Sequence, residues 1–377
     1  MIKTKLLTWI ALLLLILACT ACHGQNDDKS VKSALSTPSV NNSGQHIQRQ
    51  LDTNLSVDAD VIASSNIQKL DTLHVTPIRF DTQVQALETS LIANSKVIQK
   101  KDYVDSGSRY LTADGKELFV GRGTVNFQTD KFRTYLYQIL ITRGNTTNNL
   151  DRFSQKRNLD LPFTPHQLAV DEVKKVLTSL GIYVYDEIET YSLDYQTLQA
   201  QEKVLKENGN LTSPKDGSIT LKDSWSEDDD CYYMVFRSGF DKIPIYPNSH
   251  GSVEANTFVP SAYITACYSK KGLEYLAILD TYQKKDVDQE GLKIISFEEA
   301  LAAVKHKYGN VILTEPITVT SIELNYVPML INQSRDEFRL VPSWCLDLKK
   351  VVKDGKGETH TVHSRMIINA TTGGEIL

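Results

Sequence analysis

Hydrophobic positions along this chain change period several times, and each change predicts an element. The first is an apolar run over 6–18, broken only by Thr8 and preceded by Lys3 and Lys5. It is shorter than the roughly 20 residues a membrane span needs. A polar stretch over 23–50, rich in Ser, Asn, Gln, Lys and Asp, lacks the apolar residues that would offset ordering entropy, so it predicts a flexible tether. Over 55–62 the sequence LSVDADVI alternates apolar and polar, the period of a half-buried strand. Val84, Leu87 and Leu91 then recur at helical spacing behind a capping Asp81 or Thr82, which predicts a helix over 82–93. Residues 73–80 are a second apolar stretch, broken by Pro77; 103–111, 117–127 and 132–142 read as strands, with Asp114-Gly115 as the turn between 103–111 and 117–127.

Two further helix-then-strands runs follow. Thr164 can cap a helix with Pro165 at its first position; Leu168, Val173, Val176, Leu177 and Leu180 form its stripe, and Gly181 stops it. Strands are expected at 184–193, 231–237, 243–246, 262–269 and 275–284, with a helix over 195–208. The last run opens with a capping box, Ser296 and Glu299, continues through Leu301, Val304 and Tyr308, and ends at Gly309. Strands at 317–326, 337–350 and 361–369 complete it. The pattern predicts an α+β fold of repeated modules, each an antiparallel sheet with one packed helix. Their expected bounds are 51–147, 160–288 and 292–377, with Leu87, Val176 and Leu301 as buried helix positions.

A length of 377 residues suits two or three domains and needs no disulfide or metal staple. The formal net charge of −5 argues against a nucleic-acid partner, which calls for a basic face. Beyond Cys19 and Cys22, the cysteines are Cys231, Cys267 and Cys345, far apart and without zinc-ligand spacing. Cys231 and Cys267 can pair if the chain is exported; otherwise all three are buried thiols.

Export has its own signature here. A basic start, a short apolar core and Ile16-Leu17-Ala18-Cys19-Thr20-Ala21-Cys22 are the parts of a signal peptide over residues 1–22. The last of these resembles the lipobox of bacterial lipoproteins. That resemblance implies lipidation of Cys19, with Cys22 as the alternative, and a location at the outer face of the cytoplasmic membrane.

The C-terminal run carries a second resemblance. ISFEEALAAVKHKYG, FRLVPSWCLDLK and SRMIINATTGGEIL occur in the order of PepSY-like modules and of YycH/YycI-type extracytoplasmic regulators. The likeness covers 292–377 and rests mainly on Pro342-Ser343-Trp344 and Asn369-Ala370-Thr371-Thr372-Gly373. LPFTPHQLAVDEVKKVLTSLGI and YYMVFRSGFDKIPIYP look like a divergent copy, and the whole layout resembles uncharacterised lipoproteins of clostridial bacteria. The resemblance implies binding or regulation and carries no catalytic residues. It makes Trp344 a candidate partner contact, because aromatic anchors dominate many interfaces; packing is the competing role.

Catalytic motifs are missing from the sequence: no Gly-x-Ser-x-Gly, no His-Glu-x-x-His and no Walker loop. Gly121-Arg122-Gly123 lacks the third glycine of a dinucleotide fingerprint. His360 and His363 have odd spacing in an expected strand, which points them to opposite faces. The acidic run Ser226–Asp230 lacks the alternation of a calcium loop. The expectation is therefore a lipid-anchored binding or regulatory protein that is not an enzyme. It would hold no cofactor or metal and have an envelope partner such as a sensor or peptidase. An envelope hydrolase and a solute-binding lipoprotein are the alternatives.

Overall fold

The computed structural model describes residues 44–376, apart from 64–66, 105, 141–149, 186–187, 208–220, 223, 253–256, 260–261, 310, 333, 354 and 356. The signal region and both lipidation candidates, Cys19 and Cys22, lie outside the described residues. Residues 45–50, expected to belong to the tether, are strand.

The chain opens with β1 (Gln45–Asp52), β2 (Leu55–Ile62) and β3 (Lys69–Pro77). A short helical segment over 84–92 leads to β4 (Val97–Tyr103), β5 (Gly107–Thr112), β6 (Glu117–Val120) and β7 (Thr124–Gln128). After a second helical segment, 132–140, come α1 (His166–Ser179), β8 (Glu189–Leu193), α2 (Tyr195–Glu207) and β9 (Cys231–Phe236). Two small ribbons follow, β10 (Gly239–Phe240) with β11 (Ile243–Pro244) and β12 (His250–Ser252) with β13 (Thr257–Val259). Then come β14 (Tyr263–Ser269), β15 (Gly272–Leu279), β16 (Tyr282–Lys293) and α3 (Phe297–Gly309). The chain closes with β17 (Ile317–Ile331), β18 (Ser334–Lys353), β19 (Thr359–Asn369) and β20 (Glu375–Ile376).

These strands form two large sheets that cut across the expected module bounds. The first runs β1-β2-β17-β18-β19-β20, with β3 pairing both β18 and β16. The second runs β4-β5-β6-β7-β15-β14-β9-β8. Strands from 45–77 thus join strands from 282–376, and the segment 78–281 that builds the second sheet is inserted between them. The two crossings run side by side: Ile78 N–H donates to Thr281 O at 2.9 Å, and Pro77 pairs with Tyr282. Bounds near 147, 160 and 288 follow local breaks in pattern, and sheet pairing is not local. The class is α+β, and β2 pairs with β17 in parallel among antiparallel neighbours.

Each sheet takes a helix for the same physical reason. The capping box at α3 forms as expected: Ser296 N–H and Oγ donate to Glu299 Oε2 at 2.7 and 2.9 Å, and Glu299 N–H donates to Ser296 Oγ at 3.2 Å. From that start Phe297, Ala300, Leu301 and Val304 bury onto the first sheet, meeting Leu55, Val57 and Val61 of the alternating β2. On the second sheet, α1 buries Ala169, Val170, Val173 and Leu177. Its phase differs from the expected stripe: Leu168 is exposed and Val176 only half-buried. Asp160 Oδ1, rather than Thr164, accepts the first amide, His166 N–H, at 2.9 Å. The other face of this sheet carries α2 and the 132–140 segment, with Phe132 stacked on Tyr275 at 4.2 Å. Residues 132–142 were expected as a strand. Phe132, Leu136, Ile139 and Leu140 are buried at helical spacing instead, so period overrides the β-propensity of their aromatic and branched neighbours.

Candidate functional site

An open groove of about 490 Å³ lies on the second sheet, where β7 and β15 meet the end of the 84–92 segment and the β5–β6 turn. Leu91, Phe127 and Leu273 line its apolar part. Around them stand Lys116, Lys131, Lys271, Asp114, Asp130 and Glu274, with the hydroxyls of Thr89, Ser90 and Thr129.

Fixed partners set the electrostatics of this rim. Glu274 is buried, and its carboxylate accepts Ser269 Oγ at 2.7 Å and the Thr129 hydroxyl. Asp114 accepts Thr112 Oγ1 at 2.6 Å and Ser95 Oγ at 2.9 Å, which holds its carboxyl down at about 2. The Lys116 ammonium lies 3.3 Å from it. Asp130 pairs with Arg133 at 2.6 Å, and Lys131 donates to Asp228 O at 2.8 Å. Lys271 is exposed and makes no ion pair among the described residues. The result is an apolar strip beside a rim of held dipoles with one uncommitted cation. The groove offers hydrogen bonds along the rim and an anion contact at Lys271.

The residues singled out from sequence lie elsewhere. Trp344 is fully buried between α3 and the first sheet. Its Nε1–H donates to Ile295 O at 3.0 Å, and its ring meets Phe297 edge-on at 6.4 Å. It offers no surface to a partner in this fold, so its role is packing. Pro342 O accepts Ala370 N–H at 2.8 Å, and Gly373, at φ 75°, closes a turn held by Asn369. Gly121-Arg122-Gly123 is the tight turn between β6 and β7, with Arg122 paired to Asp336 of the first sheet. His360 and His363 are both exposed on β19.

The acidic run is spent internally. Ser226 and Asp229 form a capping box, and Asp229 is buried against the Lys222 and Lys131 ammoniums. Burial pushes the Asp229 carboxyl up, but Lys222, the Ser226 amide and Lys131 outweigh it and hold it below the usual range. Burial keeps Asp230 above that range, and its Oδ1 caps α2 by accepting Tyr195 N–H at 2.7 Å. Among the described residues no group of three His, Cys, Asp or Glu is placed to hold a metal ion. Cys231 and Cys267 are neighbouring buried thiols on β9 and β14. Their register is diagonal, since Cys231 faces Ser269 and Cys267 faces Tyr233, and both are free.

A second polar cluster, invisible in sequence, joins the two halves. Arg237, just past β9, donates to both Glu323 and Asn325 of β17. Arg365 donates to Tyr246 OH and to Asp347. Ile245 makes an isolated parallel bridge to Tyr326, so a residue of the inserted segment meets the first sheet.

No family model and no curated protein matches the chain. Among solved structures, one of an uncharacterized protein from Eubacterium rectale superposes with a TM-score of 0.66 at 16% identity, covering 88% of this chain and 93% of the other. At that identity the likeness is one of fold alone.

Proposed function

We propose that the protein is a lipid-anchored extracytoplasmic binding or regulatory protein without catalysis of its own, and that the 490 Å³ groove is its contact surface. One observation carries this reading: the groove combines an apolar strip with a rim of pre-paired charges and the free Lys271. Such a surface recognises a polar or acidic segment of an envelope partner without needing to reorganise. Anchoring raises local concentration near membrane partners, so a modest interface suffices. The repeated-module reading fits this arrangement in part. α1 precedes β8, β9, β14 and β15, and α3 precedes β17, β18 and β19, each helix packing on the antiparallel run that follows it. We read these as two divergent PepSY-like copies, the N-terminal strands completing their sheets.

Two measurements test the proposal. Metabolic labelling with a palmitate analogue should mark the protein, and Cys19→Ala should remove most of the label; loss with Cys22→Ala instead moves the lipid but keeps the class. A photo-crosslinker at Ser90 should capture one envelope protein in native membranes, and Lys271→Glu should abolish that capture. Turnover of a peptidoglycan or peptide substrate by the purified protein, stopped by a single acidic or Ser substitution, would overturn it in favour of a hydrolase.

A further inference from the structure

A second cavity lies at the seam between the sheets and is distinct from the groove. It has a volume of about 260 Å³ and is lined by Tyr183, Tyr185, Phe240, Asp241 and Lys242 of the inserted segment and by Lys284 of β16. We propose that it binds a single acidic sugar ring, through Tyr183, Asp241 and Lys284.

The frame is rigid. Tyr185 N–H donates to Arg237 O at 2.7 Å, Gly239 N–H donates to Tyr183 O at 3.2 Å, and Val184 bridges Ser238. Tyr183 is thus pinned on both sides, yet its side chain is out: the residue is 65% exposed. Its ring leans on the buried Phe240, with centroids 5.5 Å apart and planes at 45°. An exposed aromatic ring held by its backbone and backed by a second ring presents a ready face. The turn beside it is unusual. Asp241 (φ 51°) and Lys242 (φ 65°) are consecutive non-glycine residues in the left-handed region. Two-residue hairpin turns of this kind favour Asn-Gly or Asp-Gly. Strained backbone of this sort collects at ligand-contacting positions, and here it sets the Asp241 and Lys242 side chains at the cavity rim.

Three complementary chemistries converge. The Tyr183 face accepts the C–H face of a sugar ring. The Asp241 carboxylate accepts ring hydroxyls. Lys284 comes from the other sheet, is exposed, and makes no ion pair among the described residues, so its ammonium is free for a carboxylate. The volume lies below the roughly 300–1,000 Å³ of drug-sized sites, which favours one ring over a chain. An aromatic acid would satisfy Tyr183 and Lys284 but not Asp241, so hydroxyls favour the sugar.

The test is an NMR titration of the isotope-labelled protein with glucuronate, using glucose and benzoate as controls. Glucuronate should give saturable shifts at the Tyr183, Phe240 and Lys284 amides. Lys284→Met and Tyr183→Ala, both at exposed positions, should each weaken binding by about tenfold or more with circular dichroism unchanged. Glucose should bind at least about tenfold more weakly than glucuronate, for want of the Lys284 contact. Absence of saturable shifts, equal binding by wild type and both variants, or benzoate binding as well as glucuronate would each overturn the assignment. Lys271→Glu in the groove should leave this titration unchanged, so the outcome is independent of the groove.

Discussion

Replacing Trp344 separates a packing role from a contact role. The side chain is fully buried, donates to Ile295 O at 3.0 Å and packs against Phe297. Truncation to Ala removes a whole aromatic ring from a close-packed layer, and buried Trp→Ala changes cost about 3–5 kcal/mol. Trp344→Phe keeps most of the apolar volume but leaves the Ile295 carbonyl without its donor, a loss of about 1–3 kcal/mol. A domain of ordinary stability has about 5–15 kcal/mol in all, so the Ala variant should lose from about a fifth to nearly all of it, and the Phe variant less. Urea unfolding followed by circular dichroism, extrapolated linearly to water, measures both. Expected is the order wild type, Phe, Ala, with the midpoints falling in that sequence. A Trp344→Ala variant within about 1 kcal/mol of wild type would refute the burial argument. So would one that keeps its stability but loses partner capture.

Further outcomes follow from burial and charge. Leu301→Ala, at 2% exposure beneath α3, should cost about 2–5 kcal/mol in the same assay; a near-neutral result would place α3 off the sheet. The hydrogen bond to Asp60 and the charges of Asp60 and Asp58 raise the His46 imidazole above its ordinary 6.5. A raised folded value means the β1–β2 contribution is full below about 6.5 and is lost as pH climbs through the raised value. Wild type should therefore lose stability relative to His46→Asn between mild acid and alkaline pH, and a flat difference would count against the pairing. Burial raises the Cys267 and Cys345 thiols well above the ordinary value, and Cys231 is equally buried. A thiol reagent should label none of the three until denaturant is added, and rapid labelling of the native protein would contradict their placement.

What the sequence shows of this fold depends on how local the cause is. β2 announces itself because Leu55, Val57, Ala59 and Val61 alternate with polar residues and bury on one face. α3 announces itself through Ser296, Glu299 and Gly309, whose roles lie within one helix. β1 does not: it is an edge strand in which only Ile47 is buried, so its composition reads as tether. Nor does β4, exposed at nearly every position. Sheet order was hidden for a different reason. Leu55 pairs with Ile317, and no turn or period links two residues so far apart. The groove and the seam cavity are illegible on the same ground. Each gathers unremarkable Lys, Asp and Tyr residues from distant segments, so there is no motif to find. Trp344 was legible as special, but a pattern of residue types does not say whether an aromatic ring faces inward or outward.

The pairing of 45–77 with 282–376 also sets an order of events as the chain is made. β1 and β2 leave the ribosome first, yet β2's other edge stays empty until β17 arrives, because Leu55 waits for Ile317. Contacts of such separation form late, after the loop-closure entropy has been met. The inserted segment 78–281 needs neither end to complete its strand pairing and can close ahead of them. A chain cut short after residue 291 would therefore hold a finished second sheet beside a hairpin and strand whose apolar faces, Val57, Val61, Leu73 and Val75, have lost α3, β17 and β18. Unpaired strand edges of that kind seek other strands. Loss of the last 86 or so residues would not release a stable N-terminal piece; it would convert the first strands into a site for aggregation or proteolysis.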